Sequence, residues 1–393
     1  MRFIKDLSLP AITAGFVTVL VGYTSSVAIV FQAASALKAT PAQMASWMWA
    51  LGLGMGLTCI GLSLRYKQPV VTAWSTPGAA LLATAGMSGA GFDMAEATGA
   101  FMVCAALVVL FGITGWFERL MSRIPMALAS ALLAGVLARF AMDAFTSLKL
   151  AFGMVLAMFI AYLVGRRAWP RYAVPVVLIV GVLWAGLTQQ MQWGAVQWTL
   201  TLPVFTAPVF SPSAIISLAL PLFVVTMASQ NMPGVAAQRA CGYDTPVSPV
   251  IAWTGVATLV LAPLGAYSLS LAAITATISM SPEAHSDKHK RYTAAVMAGV
   301  FYCLLGVFGA AIAGLLAAFP KALVLAVAGF ALLGTIGSGL AGAMKDEPTR
   351  DAAIITFIVT LSGVSLFGVG SAFWGVVAGS LALFVSQWRL KKE

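Results

Sequence analysis

The chain has 393 residues, 61% hydrophobic and 9% charged, with a formal net charge of +10. Soluble domains carry about 25% charged residues, and no polar stretch here is long enough to build one, so a soluble enzyme or binding module is excluded. The basic excess is no nucleic-acid signal either, because the positive residues sit on short connections between apolar runs, where they set membrane topology.

Crossing a bilayer as a helix takes about 18 apolar residues or more. In chain order the apolar runs are residues 11–34, 43–64, 77–88, 95–117, 124–142, 148–165 and 172–188, then 213–232, 248–264, 270–280, 292–317, 321–341, 351–367 and 371–388. The pattern predicts an all-α polytopic membrane protein of 14 transmembrane segments, seven plus seven. Arg2 and Lys5 open the chain without the cleavage signature of a removable signal peptide. Segments 3 and 10 are too short to span as helices. Residues 69–76, ahead of segment 3, are β-branched and rich in hydroxyls, and Pro77 then supplies a helix start. The reading is a strand that enters the membrane and turns into a half-helix at Pro77, and again near Ser270. Backbone of that kind must be buried in protein or line a cavity. The uncharged connection 189–212, with Trp193, Trp198, Pro203 and Pro208, is expected at the membrane interface.

The two short segments share a sequence. Residues 73–84 (AWSTPGAALLAT) align without gaps on residues 266–277 (AYSLSLAAITAT), with six of twelve positions identical and an offset of 193. A second echo, Ile124 to Leu128 against Phe319 to Leu323, has an offset of 195. Both offsets are near half the chain length, so the chain reads as a duplication. Matched, interrupted segments in two halves of a membrane protein point to a transport site.

Charge placement tests the segment count. With a cytoplasmic N-terminus and alternating direction, 18 of the 22 Lys and Arg residues fall on the cytoplasmic side. Lys38, Lys149 and Lys321 fall outside, and Arg139 lies in the membrane. That asymmetry follows the positive-inside rule and places both termini in the cytoplasm. Seven segments per half is an odd number, so the second half is inserted upside down, which makes an inverted repeat.

The chemistry gathers at the half-helix starts, where unpaired N–H groups and a partial positive charge are expected. Two such starts facing each other would form a small anion site. Ser75, Thr76, Ser268 and Ser270 add hydroxyls there, next to Pro77, Gly78 and Leu269, and Trp74 and Tyr267 are expected to wall the pocket. The alternative is that these small residues only allow close helix packing. Segment 8 ends in Thr226, Ser229, Gln230 and Asn231 before Pro233, and such a polar cluster needs partners, either a ligand or neighbouring helices. Neither half-helix nor segment 8 holds an ionisable residue. A pocket of amides, hydroxyls and helix starts suits a small monoanion with an apolar body.

Arg139 and Asp143 stand four apart on segment 5, as a structural ion pair or as proton-coupling groups. Glu118 and Arg119 lie at a cytoplasmic segment end. His285 and His289 read as solvated loop residues, and Gly52, Gly54, Gly56, Gly375 and Gly379 as helix-packing positions. Cys59, Cys104, Cys241 and Cys303 lack metal-ligand spacing and read as reduced hydrophobes. No metalloprotease, nucleophile-elbow or phosphate-loop motif is present, so neither enzymatic chemistry nor a cofactor or metal is expected.

Thr72 to Ala80, Leu220 to Asn231, Ser281 to His285, Asp351 to Ala353 and Gly370 to Gly375 together resemble the bacterial benzoate:proton symporter family, over essentially the whole chain. The resemblance implies the inverted-repeat fold shared with nucleobase and sulfate-permease-like transporters. It implies a core domain from residues 1–117 and 191–317, and a gate domain from 118–190 and 318–393. Substrate then sits between the half-helices of segments 3 and 10, beside segment 8, and relatives of this fold often pair as homodimers. The nucleobase branch holds its ring on acids in segments 8 and 10. Here Ser229-Gln230-Asn231 and the region around Tyr267 have none, which argues against nucleobases.

The expectation is a secondary active transporter in a bacterial inner membrane, taking up benzoate or a related aromatic carboxylate with protons by alternating access. The rival within transport is a small inorganic anion exchanger or uniporter of the same fold. A scaffold or sensor that has kept the fold is the rival outside it.

Overall fold

The computed structural model describes residues 2–87, 91–116, 126–170, 173–195, 199–282, 284–364, 366 and 371–387. Glu118, Arg119, Ile124, Pro125, Trp198, Glu283 and Gly370, together with residues 388–393, lie outside the described residues. The chain is about 80% helical.

Helices begin where the sequence supplies caps. Thr40 accepts from Gln43 N while the Gln43 side chain reaches back to Thr40 N, so a capping box with Pro41 behind it opens α2 (Pro41–Tyr66). Asp93 and Glu96 do the same for α4 (Met94–Thr114). Before these come α1 (Leu9–Ala36), and between them β1 (Thr72–Trp74) and α3 (Thr76–Met87). There follow α5 (Met126–Thr146), α6 (Phe152–Ala168), α7 (Ala173–Leu187), α8 (Pro212–Arg239) and α9 (Val247–Leu261). The chain then forms β2 (Leu269–Leu271), α10 (Ile274–Met280), α11 (Tyr292–Val307), α12 (Gly309–Ala318), α13 (Lys321–Ala343), α14 (Arg350–Ser362) and α15 (Ser371–Gln387).

Among the described residues six helical runs are long and apolar enough to cross a membrane, and two bent pairs, in α1 and across α11–α12, raise that to eight. This is fewer than the 14 runs read from sequence, because the half-helices α3 and α10 have 12 and 7 residues and α6, α7, α14 and α15 each have 17 or fewer. Their places in the chain agree with the sequence reading; their lengths fall short of a full straight crossing.

Helices pack in defined pairs: α5 with α13, α2 with α11, α4 with α9, α14 with α15, and α1 with α3. Small residues make the closest approaches. A Cβ built on Gly52 of α2 would stand 2.5 Å from Gly306 Cα of α11, so any larger side chain would separate the two backbones. The exposed surface carries Leu57, Ile113, Leu183, Leu187 and Val385; no polar surface could be traded for these, and hydrocarbon is their solvent. All four cysteines are free, and no group of metal-ligating side chains forms among the described residues.

Candidate functional site

β1 and β2 meet as an antiparallel pair in the register Thr72 with Leu271, Ala73 with Ser270 and Trp74 with Leu269. Ser75 N donates to Ser268 O at 2.9 Å and Ala272 N to Val71 O at 2.9 Å, which continues the ladder past both strand ends. This satisfies backbone groups that could not be left open in a membrane interior. Neighbouring helices satisfy the outer edges. Thr72 N donates to Cys59 Sγ at 3.1 Å, and Leu269 N to Thr258 Oγ1 at 3.1 Å.

α8 runs beside this crossing and contains two π-helical turns, Ile215–Ala219 and Met227–Asn231. Each precedes a proline by two residues, at Pro221 and Pro233. Proline has no N–H and its ring crowds the carbonyl one turn earlier; widening that turn relieves both, and π turns recur at functional sites. The second turn carries the whole Ser229-Gln230-Asn231 cluster.

A chain of buried hydroxyls ties the three elements together. Ser268 Oγ donates to Thr226 Oγ1 at 2.8 Å, and Thr226 Oγ1 donates to Ser75 Oγ at 3.0 Å. Ser75 Oγ also accepts from Gly78 N at 3.1 Å. The first turn of α3 is therefore largely satisfied by its own cap, since Pro77 has no N–H and Gly78 N is used. This differs from the open helix start expected from the sequence, and the reason is that Ser75 folds back as a cap. Asn231 is structural in the same sense: its Oδ1 accepts from Leu271 N at 2.9 Å.

A cavity of about 690 Å³ opens beside the crossing, within the usual range for small-molecule sites. Trp74, Thr76, Pro77, Ser229 and Gln230 line it; Ser75, Gly78, Asn231, Tyr267, Ser268, Leu269 and Ser270 lie behind it. Thr76, Ser229 and Gln230 make no side-chain hydrogen bond to any described residue, so their donors are available to a ligand. Trp74 is held by its Nε1, which donates to Ser26 Oγ at 2.8 Å, and by edge contact with Tyr23 at 4.8 Å between centroids. Tyr267, expected as a second wall, is fully buried between Trp47 and Phe101. Matching sequence does not give Trp74 and Tyr267 matching surroundings, because only the first faces the cavity.

Arg139 and Asp143 do not form an ion pair, and neither lines the cavity. The Arg139 guanidinium lies instead against Gly363, at the C-terminal end of α14, where a helix presents partial negative charge. Asp143 is half-buried near Arg139 and Lys321.

The rest of the cavity lining was not singled out by sequence. It comes from α5, α6, α7 and α13 and includes Leu133, Leu137, Tyr162 and Arg166. In the sequence Arg166 counts among cytoplasmic charges; its spacing of four from Tyr162 was the available signal.

The profile of the benzoate membrane transport protein family matches residues 5–385. The chain belongs to that family. It is therefore a membrane transport protein and not an enzyme. Among relatives of the benzoate transport family, inner membrane protein YdcO of Escherichia coli is 50% identical over 376 residues, 96% of this chain and 95% of that one. The benzoate membrane transport protein of Acinetobacter baylyi is 41% identical over 381 residues, 97% and 96% of the two chains. The fold is shared with more distant transporters. SLC26A9 superposes with a TM-score of 0.65 at 14% identity, over 99% of this chain and 67% of that one. The transmembrane domain of the cyanobacterial bicarbonate transporter BicA gives 0.61 at 11% identity, over 95% and 97%.

Proposed function

We propose that the chain is a secondary active transporter for proton-coupled uptake of benzoate or a related aromatic carboxylate, working by alternating access in a bacterial inner membrane. The observation that carries this is the cavity beside the strand crossing. It combines unpartnered hydroxyl and amide groups at Thr76, Ser229 and Gln230 with an aromatic wall at Trp74, which suits a carboxylate on an apolar ring. The relative from Acinetobacter baylyi is named for benzoate transport and covers nearly the same length, and the Escherichia coli relative is named an inner membrane protein.

The proposed architecture is 14 segments in two inverted halves, with α11 and α12 together as one segment. The packing supports it. Shifting by seven segments turns α1–α3 into α8–α10, α2–α11 into α9–α4, α6–α7 into α14–α15, and α5–α14 into α13–α6, and each of these pairs is in contact. The antiparallel meeting of two strands with matching sequence is also what such a relation produces. The core comprises residues 1–117 and 191–317 and the gate 118–190 and 318–393. The cavity has one wall from each, as rocking of one against the other requires.

Uptake of radiolabelled benzoate into proteoliposomes, with and without an inward proton gradient, tests the reading. Accumulation that collapses with the gradient is the expected result. Entry indifferent to the gradient removes proton coupling. No entry above protein-free liposomes, with bicarbonate or chloride flux instead, replaces the aromatic carboxylate with a small inorganic anion.

A further inference from the structure

Among the described residues that line the cavity, Arg166 is the one charged side chain. It stands on α6 and shares the cavity with Trp74, Thr76, Ser229 and Gln230. Among the described residues no carboxylate lies within ion-pair distance of it. An arginine that merely sets topology needs no particular seat; Arg166 and Arg167 are both exposed, but Arg167 lies outside the cavity and has none. Arg166 does have one. Its Cζ lies 5.9 Å from the ring centroid of Tyr162, which is itself buried and stacked on Phe330. A Cβ built at Gly334 of α13 would stand 2.8 Å from Arg166 Nη1, so a larger residue there would shift the tip of the guanidinium. Tyr162 and Gly334 both line the cavity, as do the hydroxyl residues Thr335 and Ser338.

We propose that Arg166 is the anion-selecting residue of this cavity: seated beside Tyr162 and Gly334, it receives the carboxylate of the substrate. The inference rests on the cavity being the transport site, but not on the anion being benzoate. A guanidinium presents paired donors that match the two oxygens of a carboxylate, which an ammonium cannot do in the same geometry. Its positive charge in a cavity with apolar walls also raises the local concentration of anions over neutral molecules. Release of the substrate toward either side then requires the contact to break.

The test is the rise in melting temperature of the full-length detergent-solubilised protein with added benzoate, bicarbonate or chloride, and with neutral benzamide, read as apparent affinity. Arg166→Gln is expected to weaken every anion that stabilises the wild type by about tenfold or more, the scale of a hydrogen bond to a charged group. It should leave any benzamide response unchanged. Arg166→Lys should be intermediate, and Arg167→Gln within about twofold of wild type, since it changes net charge equally away from the cavity. Gly334→Ala keeps the charge but displaces it, and serves with Arg166→Lys if Arg166→Gln does not fold; both should weaken anions several-fold. Wild-type anion affinity in Arg166→Gln, or in both substitutes, overturns the proposal. If the wild type responds to bicarbonate or chloride but not benzoate, the benzoate reading fails and Arg166 is judged on the anion that binds. If it responds to no anion, both fall.

Discussion

Ser75 N donates to Ser268 O at 2.9 Å, and these two serines occupy equivalent places in the duplicated element, 193 residues apart in the chain. The duplication thus closes on itself: each copy supplies the other's missing backbone partner. Thr226 joins the same point from α8, accepting from Ser268 and donating to Ser75.

Thr226→Val keeps the shape but removes the hydroxyl at the centre of this chain. Ser75 and Ser268 are then left with unmet buried hydrogen-bonding capacity, which costs roughly 1–3 kcal/mol. The expected outcome is a lowered melting temperature, with Thr226→Ser close to wild type. A Thr226→Val protein that melts like the wild type would show that the chain is not what holds the crossing together.

Adjacent residues of the π turn should behave differently. Asn231→Leu removes the acceptor for Leu271 N and should destabilise the protein by roughly 1–3 kcal/mol. Gln230→Ala removes a group that faces the cavity without a protein partner, so stability should hold while the KM for transport rises. Melting curves and initial uptake rates on the same two preparations separate the roles; equal effects of both variants on stability would merge them.

Gly363 has φ +68° and packs on the Arg139 guanidinium. Alanine there is strained by backbone conformation alone, at roughly 1 kcal/mol, and its Cβ would push the Arg139 guanidinium aside. Gly363→Ala should therefore lower the melting temperature, and Arg139→Ala in the same chain should recover part of the loss. Strict additivity of the two would show that they do not interact.

Asp143 stays a proposal for proton coupling. It is half-buried on α5, the helix whose Ala129, Ser130, Leu133 and Leu137 line the cavity, and it lacks the ion pair that would fix its charge. Asp143→Asn should abolish the response of uptake to an imposed proton gradient while leaving substrate exchange at equal pH. Uptake that still follows the gradient would move the coupling elsewhere.

Much of this protein is decided by sequence alone, because hydrocarbon is an unforgiving solvent. Backbone must be helical or paired within the protein, and charge must stay near the ends of segments. The positions of the helical segments, the strand-to-helix turns at Pro77 and near Ser270, the polar cluster before Pro233 and the family follow from those constraints. Tertiary structure decided what each side chain faces. Trp74 lines the cavity while its counterpart Tyr267 is buried behind it; Ser75 caps its own half-helix instead of leaving it open; Arg139 lies against the end of α14 and forms no ion pair with Asp143. Arg166 changes from one charge among many near a helix end to the sole charged group among the described residues of the cavity. Each of these depends on contacts between helices far apart in the chain, and the periodicity of a single segment carries no record of its neighbours.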